Sequence, residues 1–252
     1  MIAVCRRYGL ISLLALTGLF SVKSGAAEAV VTVQFKGQSY LYQQQPRLAD
    51  VLGPVALTED WYWPASALYR VDAAEAETLR DDIIQRLTAL KGKWQQDSSY
   101  QNTIEQLTFQ LKQWQLGQRI DIAIDYDLAR LKPAANPQFQ PGRYLLTLTD
   151  RPQHIVVFGL ARAERITHYG NASVPVYAGQ LRRLAGSSQN WLYILQPDGA
   201  VIKAGIASWN QQHNELMPGA QLFVPFDTHF FGDEFAEINQ AVIALARHRV
   251  LQ

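Results

Sequence analysis

The sequence predicts an α+β protein in which two related β modules are joined by a helical hairpin and followed by a final amphipathic helix. Three observations carry this. Short apolar runs, alternating or continuous and ended by Gly or Pro turns, fill residues 30–42 and 190–226. Between them, residues 72–117 place apolar side chains at helical spacing. Beyond them, Phe235, Ile238, Val242 and Leu245 share one face of a last helix.

The chain opens with Arg6 and Arg7, an apolar run from Leu10 to Phe20, and the small residues Ser24-Gly25-Ala26-Ala27. This is the three-part pattern of a cleaved secretory signal, here residues 1–27. The run is shorter than the roughly 20 residues that span a bilayer, and no later stretch is both long and free of charge. The expectation is export without a stable membrane span after cleavage. Cys5 is the only cysteine; it precedes the apolar run, which argues against a lipoprotein site, and the exported chain folds without disulfides. Arg6, Arg7 and Lys23 leave with the signal, taking Lys+Arg from 23 to 20 against 22 Asp+Glu, a formal charge of −2. That balance provides no electrostatic footprint for nucleic acid.

Val30–Phe35 and Tyr40–Tyr42 read as a hairpin about Lys36-Gly37-Gln38. Pro46–Gly53 follows as a short helix with proline in its first turn and glycine beyond its end. A hairpin and then a short helix is the opening of a β-grasp, ubiquitin-like module. Asp72 and Glu75 have capping-box spacing ahead of Ala76, Leu79, Ile83, Leu87 and Leu90. Lys91-Gly92-Lys93 ends that helix, and Tyr100 to Trp114 forms a second, antiparallel to it. Ile120, Ile122 and Ile124 alternate with Asp121, Ala123 and Asp125 as a half-buried strand. Leu128–Pro141 reads as a loop, and Tyr144–Leu148 and Ile155–Leu160 read as strands.

A second module is expected from Val174–Tyr177 as a strand, Gln180–Leu184 as a short helix ending at Gly186, and a hairpin about Pro197-Asp198-Gly199. That turn is expected to set strand register only. The likeness of Arg47-Leu48-Ala49 to Arg183-Leu184-Ala185 fits a tandem. Leu222–Val224 is a last strand. In the final helix, Asp233 and Glu234 occupy the first turn and Arg247, His248 and Arg249 the last, each favourable to the helix dipole. Docking of its apolar face on the protein's own core is expected, with a membrane or partner helix as the alternative.

Catalytic motifs are absent. Asp121 and Asp125 sit roughly 13 Å apart on an extended strand, beyond the about 5 to 10 Å of paired glycosidase carboxylates. His154, His168, His213, His229 and His248 have no paired ligand spacing, Asp121, Asp125 and Asp127 do not make a calcium loop, and neither G-x-S-x-G nor a P-loop occurs. Neither metal nor cofactor is implied.

Gly117-Gln118-Arg119 before the Ile/Asp segment, Leu131-Lys132-Pro133 to Asn136-Pro137, Gly142-Arg143-Tyr144, and Arg151-Pro152 before Ile155–Gly159 form an ordered set. Gln196-Pro197-Asp198-Gly199, Trp209-Asn210, Pro218-Gly219-Ala220 and Val224-Pro225-Phe226 continue it. Over nearly the whole exported chain this set resembles the GfcC-type capsule biosynthesis proteins, periplasmic proteins of group 4 capsule and exopolysaccharide operons. The resemblance implies a Gram-negative periplasmic protein with two β-grasp domains related to the SLBB domains of outer-membrane polysaccharide export proteins. It also implies a helical-hairpin insertion and a C-terminal amphipathic helix. The expected division is residues 28–153, 154–228 and 229–252, with the insertion at about 72–117.

The expected role is a non-catalytic accessory factor in capsule or exopolysaccharide assembly and export, binding the polysaccharide or an outer-membrane export protein. The alternative is an enzyme that modifies or cleaves the polymer with residues distant in sequence. Saccharides present apolar CH faces to aromatic rings and hydroxyls to planar polar groups. Arg119, Arg130 and Arg151 near strand edges, and Trp209, Asn210 and His213 in one loop, are therefore the candidate ligand residues.

Overall fold

The computed structural model describes residues 30–93 and 97–251. The segment read as a signal peptide lies outside them. Strands β1 (Val31–Phe35) and β2 (Gln38–Tyr42) form the first hairpin. Its two turn residues, Lys36 and Gly37, have φ of 45° and 77°, the positive pair whose twist matches that of the flanking strands. Then follow α1 (Leu48–Leu52), β3 (Ala67–Arg70), α2 (Glu75–Lys93), α3 (Ser98–Lys112), β4 (Gln118–Ile120), α4 (Tyr126–Leu131) and β5 (Gly142–Thr147). The sheet runs β2-β1-β5-β3-β4, with β1 parallel to β5 and the other neighbours antiparallel. Leu48, Val51 and Leu52 of α1 and Ala129 of α4 pack with Val31, Val33, Leu68 and Leu146 on one face. Because side chains alternate along a strand, Ala67, Tyr69 and Leu145 point to the other.

The second sheet comprises β6 (His154–Gly159), β7 (Glu164–Thr167), β8 (Trp191–Leu195), β9 (Val201–Gly205) and β10 (Gln221–Val224), with α5 (Val174–Ala178) between β7 and β8. Its order, β7-β6-β10-β8-β9, reproduces the first sheet position for position, including the parallel pair β6 and β10. Both halves are therefore β-grasp-like, and their helices α1 and α5 correspond. Where the second half turns from β8 to β9 through Pro197-Asp198-Gly199, the first inserts α2 and α3 between β3 and β4. The chain ends its helical structure with α6 (Thr228–Phe231) and α7 (Asp233–Arg247).

The insertion leaves the sheet that bears it and serves the other. Ile83, Leu87 and Leu90 of α2, and Ile104, Leu107 and Leu111 of α3, join the core of the second sheet together with α7. Trp114 meets Phe158 edge-on at 5.3 Å between centroids, and Phe158 stacks on Phe223 at 5.0 Å. Gln110 of α3 uses its whole amide at the end of β6. Its Nε2 donates to Gly159 O and Ala161 O, and its Oε1 accepts from Gly159 N at 3.0 Å. Covered on both faces, β6 is apolar almost throughout, as a strand buried from two sides must be. Phe235, Ile238, Val242 and Leu245 of α7 are buried against the protein's own core, as expected. Asn239 ties the helix down by exchanging two hydrogen bonds with the Phe226 backbone. Among the described residues no helix is long and apolar enough to cross a membrane.

Several local expectations change. Val174–Tyr177 is helix α5, not a strand. Pro175 occupies a first-turn position where proline costs no hydrogen bond, and Val174 and Tyr177, three residues apart, both face the sheet. Residues 180–184 are irregular, with Arg183 bridging to Ala161, so the Arg47 and Arg183 motifs are not equivalent. The Ile/Asp strand stops at Ile120. Asp125 instead caps α4 by accepting from Leu128 N at 2.8 Å, so Leu128–Pro141 is helix and a 3-10 turn before it is loop. Asp72 does not cap α2; it pairs with Arg70 at 2.9 Å and accepts from Arg143 N. Arg249 lies beyond α7, whose C-cap is His248.

Candidate functional site

The faces of the two sheets that lack α1 and α5 look toward one another across a cleft of about 510 Å³. Tyr69 of β3, Arg119 of β4 and Thr147 of β5 line one wall; His154, Arg165 and Gln221, from β6, β7 and β10, line the other. Arg249 and Leu251, from the segment after α7, complete it. The volume lies within the roughly 300–1,000 Å³ typical of sites that enclose small ligands.

That last segment also stitches the halves together. Gly117 N donates to His248 O at 3.0 Å, Val250 N to Gln115 O at 2.9 Å and Tyr69 Oη to Arg249 O at 3.1 Å. Arg247 grips both carboxylate oxygens of Asp121 at 3.0 Å. Arg119 is the second tie: its Nη2 donates to Pro197 O at 2.5 Å, and its guanidinium lies under Gly199, whose φ is 96°. The Pro-Asp-Gly turn thus holds the first sheet as well as closing its own hairpin, a role beyond register that turn chemistry alone does not reveal.

The electrostatics of the cleft have one sign. Its charged or titratable lining groups, among the described residues, are Lys36, Arg119, His154, Arg165, Arg249 and the Tyr69 phenol; no carboxylate lines it. Burial, followed by the charge of Arg165, lowers the Arg249 pKa to about 10, which leaves it a cation at neutral pH. Its guanidinium lies 4.8 Å from the Trp114 ring centroid, and its Nη1 is buried with no hydrogen-bond partner among the described residues. Burial raises the Tyr69 phenol, against which the nearby Arg119 acts. Paired-carboxylate hydrolysis has no acid or base among these groups.

His248 is held below its ordinary pKa of 6.5, first by burial and then by Arg247 and Arg119, while Asp121 and Glu75 oppose them. Its neutral form is also the one the geometry uses, since Nδ1 accepts from Arg119 N at 3.1 Å. A histidine with a depressed folded-state pKa binds its proton more readily in the unfolded chain. Its contribution to stability is intact above 6.5 and is lost as the pH falls through the folded value. His154, lowered by burial and Arg165, acts in the same direction. The melting temperature should therefore fall on acidification below 6.5. His248→Asn, which keeps an acceptor but cannot titrate, should flatten that profile in a calorimetric pH series; an unchanged slope would sink the assignment.

Of the six residues singled out from sequence, only Arg119 lines the cleft. Arg151 lies over the Tyr62 ring at 5.6 Å, and Arg130 over Tyr126 at 5.4 Å. Asn210 is committed to its own loop, accepting from Ala207 N and donating to Asn190 O at 3.0 Å. His213 pairs with Glu215 at 2.9 Å on the surface. Trp209 is 71% exposed and packs edge-on against Trp191 at 6.1 Å, with Lys203 Nζ 4.4 Å from the Trp191 ring. This is a separate aromatic surface on the β8–β9 side. Tyr69, His154, Arg165, Gln221 and Arg249 escaped sequence reasoning. They come from five separate segments, and Arg249 reads in sequence as a helix-dipole partner.

Residues 27–151 match the family described as "Capsule biosynthesis GfcC, N-terminal", and residues 163–251 match "Capsule biosynthesis GfcC C-terminal". The chain is also similar to "Uncharacterized protein YjbG" of Escherichia coli (strain K12). The two are 27% identical over 208 residues, which cover 81% of this chain and 83% of that relative.

Proposed function

The chain belongs to the capsule biosynthesis GfcC family, and from that premise we propose that it is a non-catalytic periplasmic accessory factor of capsule or exopolysaccharide assembly and export. In this reading it binds the polysaccharide in the cleft between its two sheets. The observation that carries the proposal is the composition of that cleft: guanidinium, phenol, hydroxyl and amide groups converge in it, and no carboxylate lines it among the described residues. Such a surface binds a hydroxyl-rich chain without the paired carboxylates that most glycosidases use to cut one. Exposed Trp209, packed against half-buried Trp191, supplies a separate aromatic surface for the same polymer.

The test is titration of the purified exported protein with fragments of the host's capsular polymer. Saturable binding is expected, weakened about tenfold or more by Arg119→Ala, since a charge-assisted hydrogen bond is worth roughly 1.5–3 kcal/mol. Shortened polymer in the same incubation would replace this reading with an enzymatic one. Absence of saturable binding to every fragment would remove the saccharide role and leave contact with the export machinery.

A further inference from the structure

We propose that the cleft selects acidic saccharides, seating a sugar carboxylate on Arg119 and Arg249 while a neighbouring sugar hydroxyl donates to Gln221 Oε1. This rests on the reading of the cleft as the polymer site and specifies which polymers it takes. Two observations, independent of each other, point to the same ligand.

The first is charge. Arg119, Arg165 and Arg249 line the cleft as cations, with His154 beside them and Lys36 paired with Glu59 at 2.6 Å, and no acidic residue is among the described lining. Burial lowers the Arg249 pKa first, and the like charge of Arg165 lowers it further. An anion entering between them relieves that repulsion and gains charge-assisted hydrogen bonds. Arg119 and Arg249 both line the cleft, and Tyr69, beside Arg119, donates to the Arg249 backbone carbonyl.

The second is hydrogen-bond capacity left unused. Gln221 is 7% exposed and lines the cleft. Its Nε2 donates to Ala246 O at 3.1 Å, but its Oε1 has no hydrogen-bond partner among the described residues. Arg249 Nη1 is a buried donor in the same condition. Buried polar groups rarely stay unpaired. A ligand that satisfies both and also offsets the guanidinium charge carries an anionic acceptor and a hydroxyl donor. A hexuronate has both on one ring. A neutral sugar can bond both through its hydroxyls but leaves the guanidinium charge unpaired, and hydrogen phosphate, with one hydroxyl beside its anionic oxygens, can satisfy both and is therefore the competitor to test.

Calorimetric titration of the wild-type protein with a panel of glucuronate-, galacturonate- and mannuronate-containing oligosaccharides, each beside its carboxyl-reduced counterpart, tests the proposal. At least one acidic oligosaccharide should bind about tenfold or more tightly than its reduced form, with an affinity that falls as salt rises. Arg249→Gln and Gln221→Leu should each weaken it, Arg249→Gln alone removing most of the salt dependence; circular dichroism and cooperative melting verify that each variant is folded. Equal affinity for acidic and reduced forms would overturn the selectivity and leave the binding role standing. Inorganic phosphate competing as well as the uronates would overturn the saccharide part. No binding by any member of the panel, acidic or reduced, would overturn both this inference and the binding role.

Discussion

Gly159→Ala should abolish the folded second sheet. A Cβ at this position would lie 2.4 Å from Val224 O and 2.5 Å from the Phe223 ring, and the backbone φ is 93°. Neither neighbour has room to yield. Val224 is the parallel ladder partner of Gly159, Phe223 is stacked on Phe158, and the Gly159 amide itself is held by Gln110. Strain in the backbone and an immovable clash add, so the cost should reach roughly 4 kcal/mol or more, against a total stability of about 5–15 kcal/mol for an ordinary domain. The expected result is insoluble protein or loss of the cooperative melting transition. Gly92→Ala is the matched control. Gly92 lies in α2 with nothing within 4 Å of its added Cβ, so the same change should stabilise by up to about 1 kcal/mol through helix propensity. If both variants melt like the wild type, the packing described at Gly159 is wrong.

Leu245→Asp should be nearly as severe. Leu245 is fully buried in the core that α7 shares with α2, α3 and the second sheet. A carboxylate there loses the leucine packing, about 2–5 kcal/mol for truncation alone, and adds the cost of a buried charge or of its protonation. Were α7 a detachable helix reserved for a membrane or a partner, the substitution would spare the remainder of the fold. A soluble Leu245→Asp variant with an unchanged urea midpoint would establish that alternative.

Features encoded by neighbouring residues were legible in the sequence. The Lys36-Gly37 hairpin, the Pro-Asp-Gly turn, the paired helices and the dipole-matched ends of the last helix each rest on a few adjacent side chains. The family resemblance, which carried the two β-grasp domains, rests on motifs of the same local kind. Errors fell where a short apolar run fits two periods. Val174-Pro-Val-Tyr satisfies a strand by propensity, but helix α5 wins because Val174 and Tyr177 then face the same core. At Asp125, capping of α4 displaced the alternation that reads as a strand. The edge strand β7, Glu-Arg-Ile-Thr, has one strong apolar residue and little pattern to detect. The cleft was the least legible part. Arg119 was found through its motif, whereas Gln221 and Arg249 acquire meaning only when strands distant in sequence are brought together.

Each sheet closes through a parallel pairing of its first strand with its last, β1 with β5 and β6 with β10. Neither sheet is complete until its final strand has been made, and such long-range pairing is slow to form. The segment that fixes the two sheets against each other, residues 247–251, comes later still in the chain. In order of synthesis, the α2–α3 insertion and the Arg119 tie are available to orient the halves before the last segment is made. The cleft is the last feature the chain completes: a chain interrupted before residue 247 keeps the α2–α3 packing and the Arg119 tie to Pro197 but lacks the wall that Arg249 and Leu251 supply.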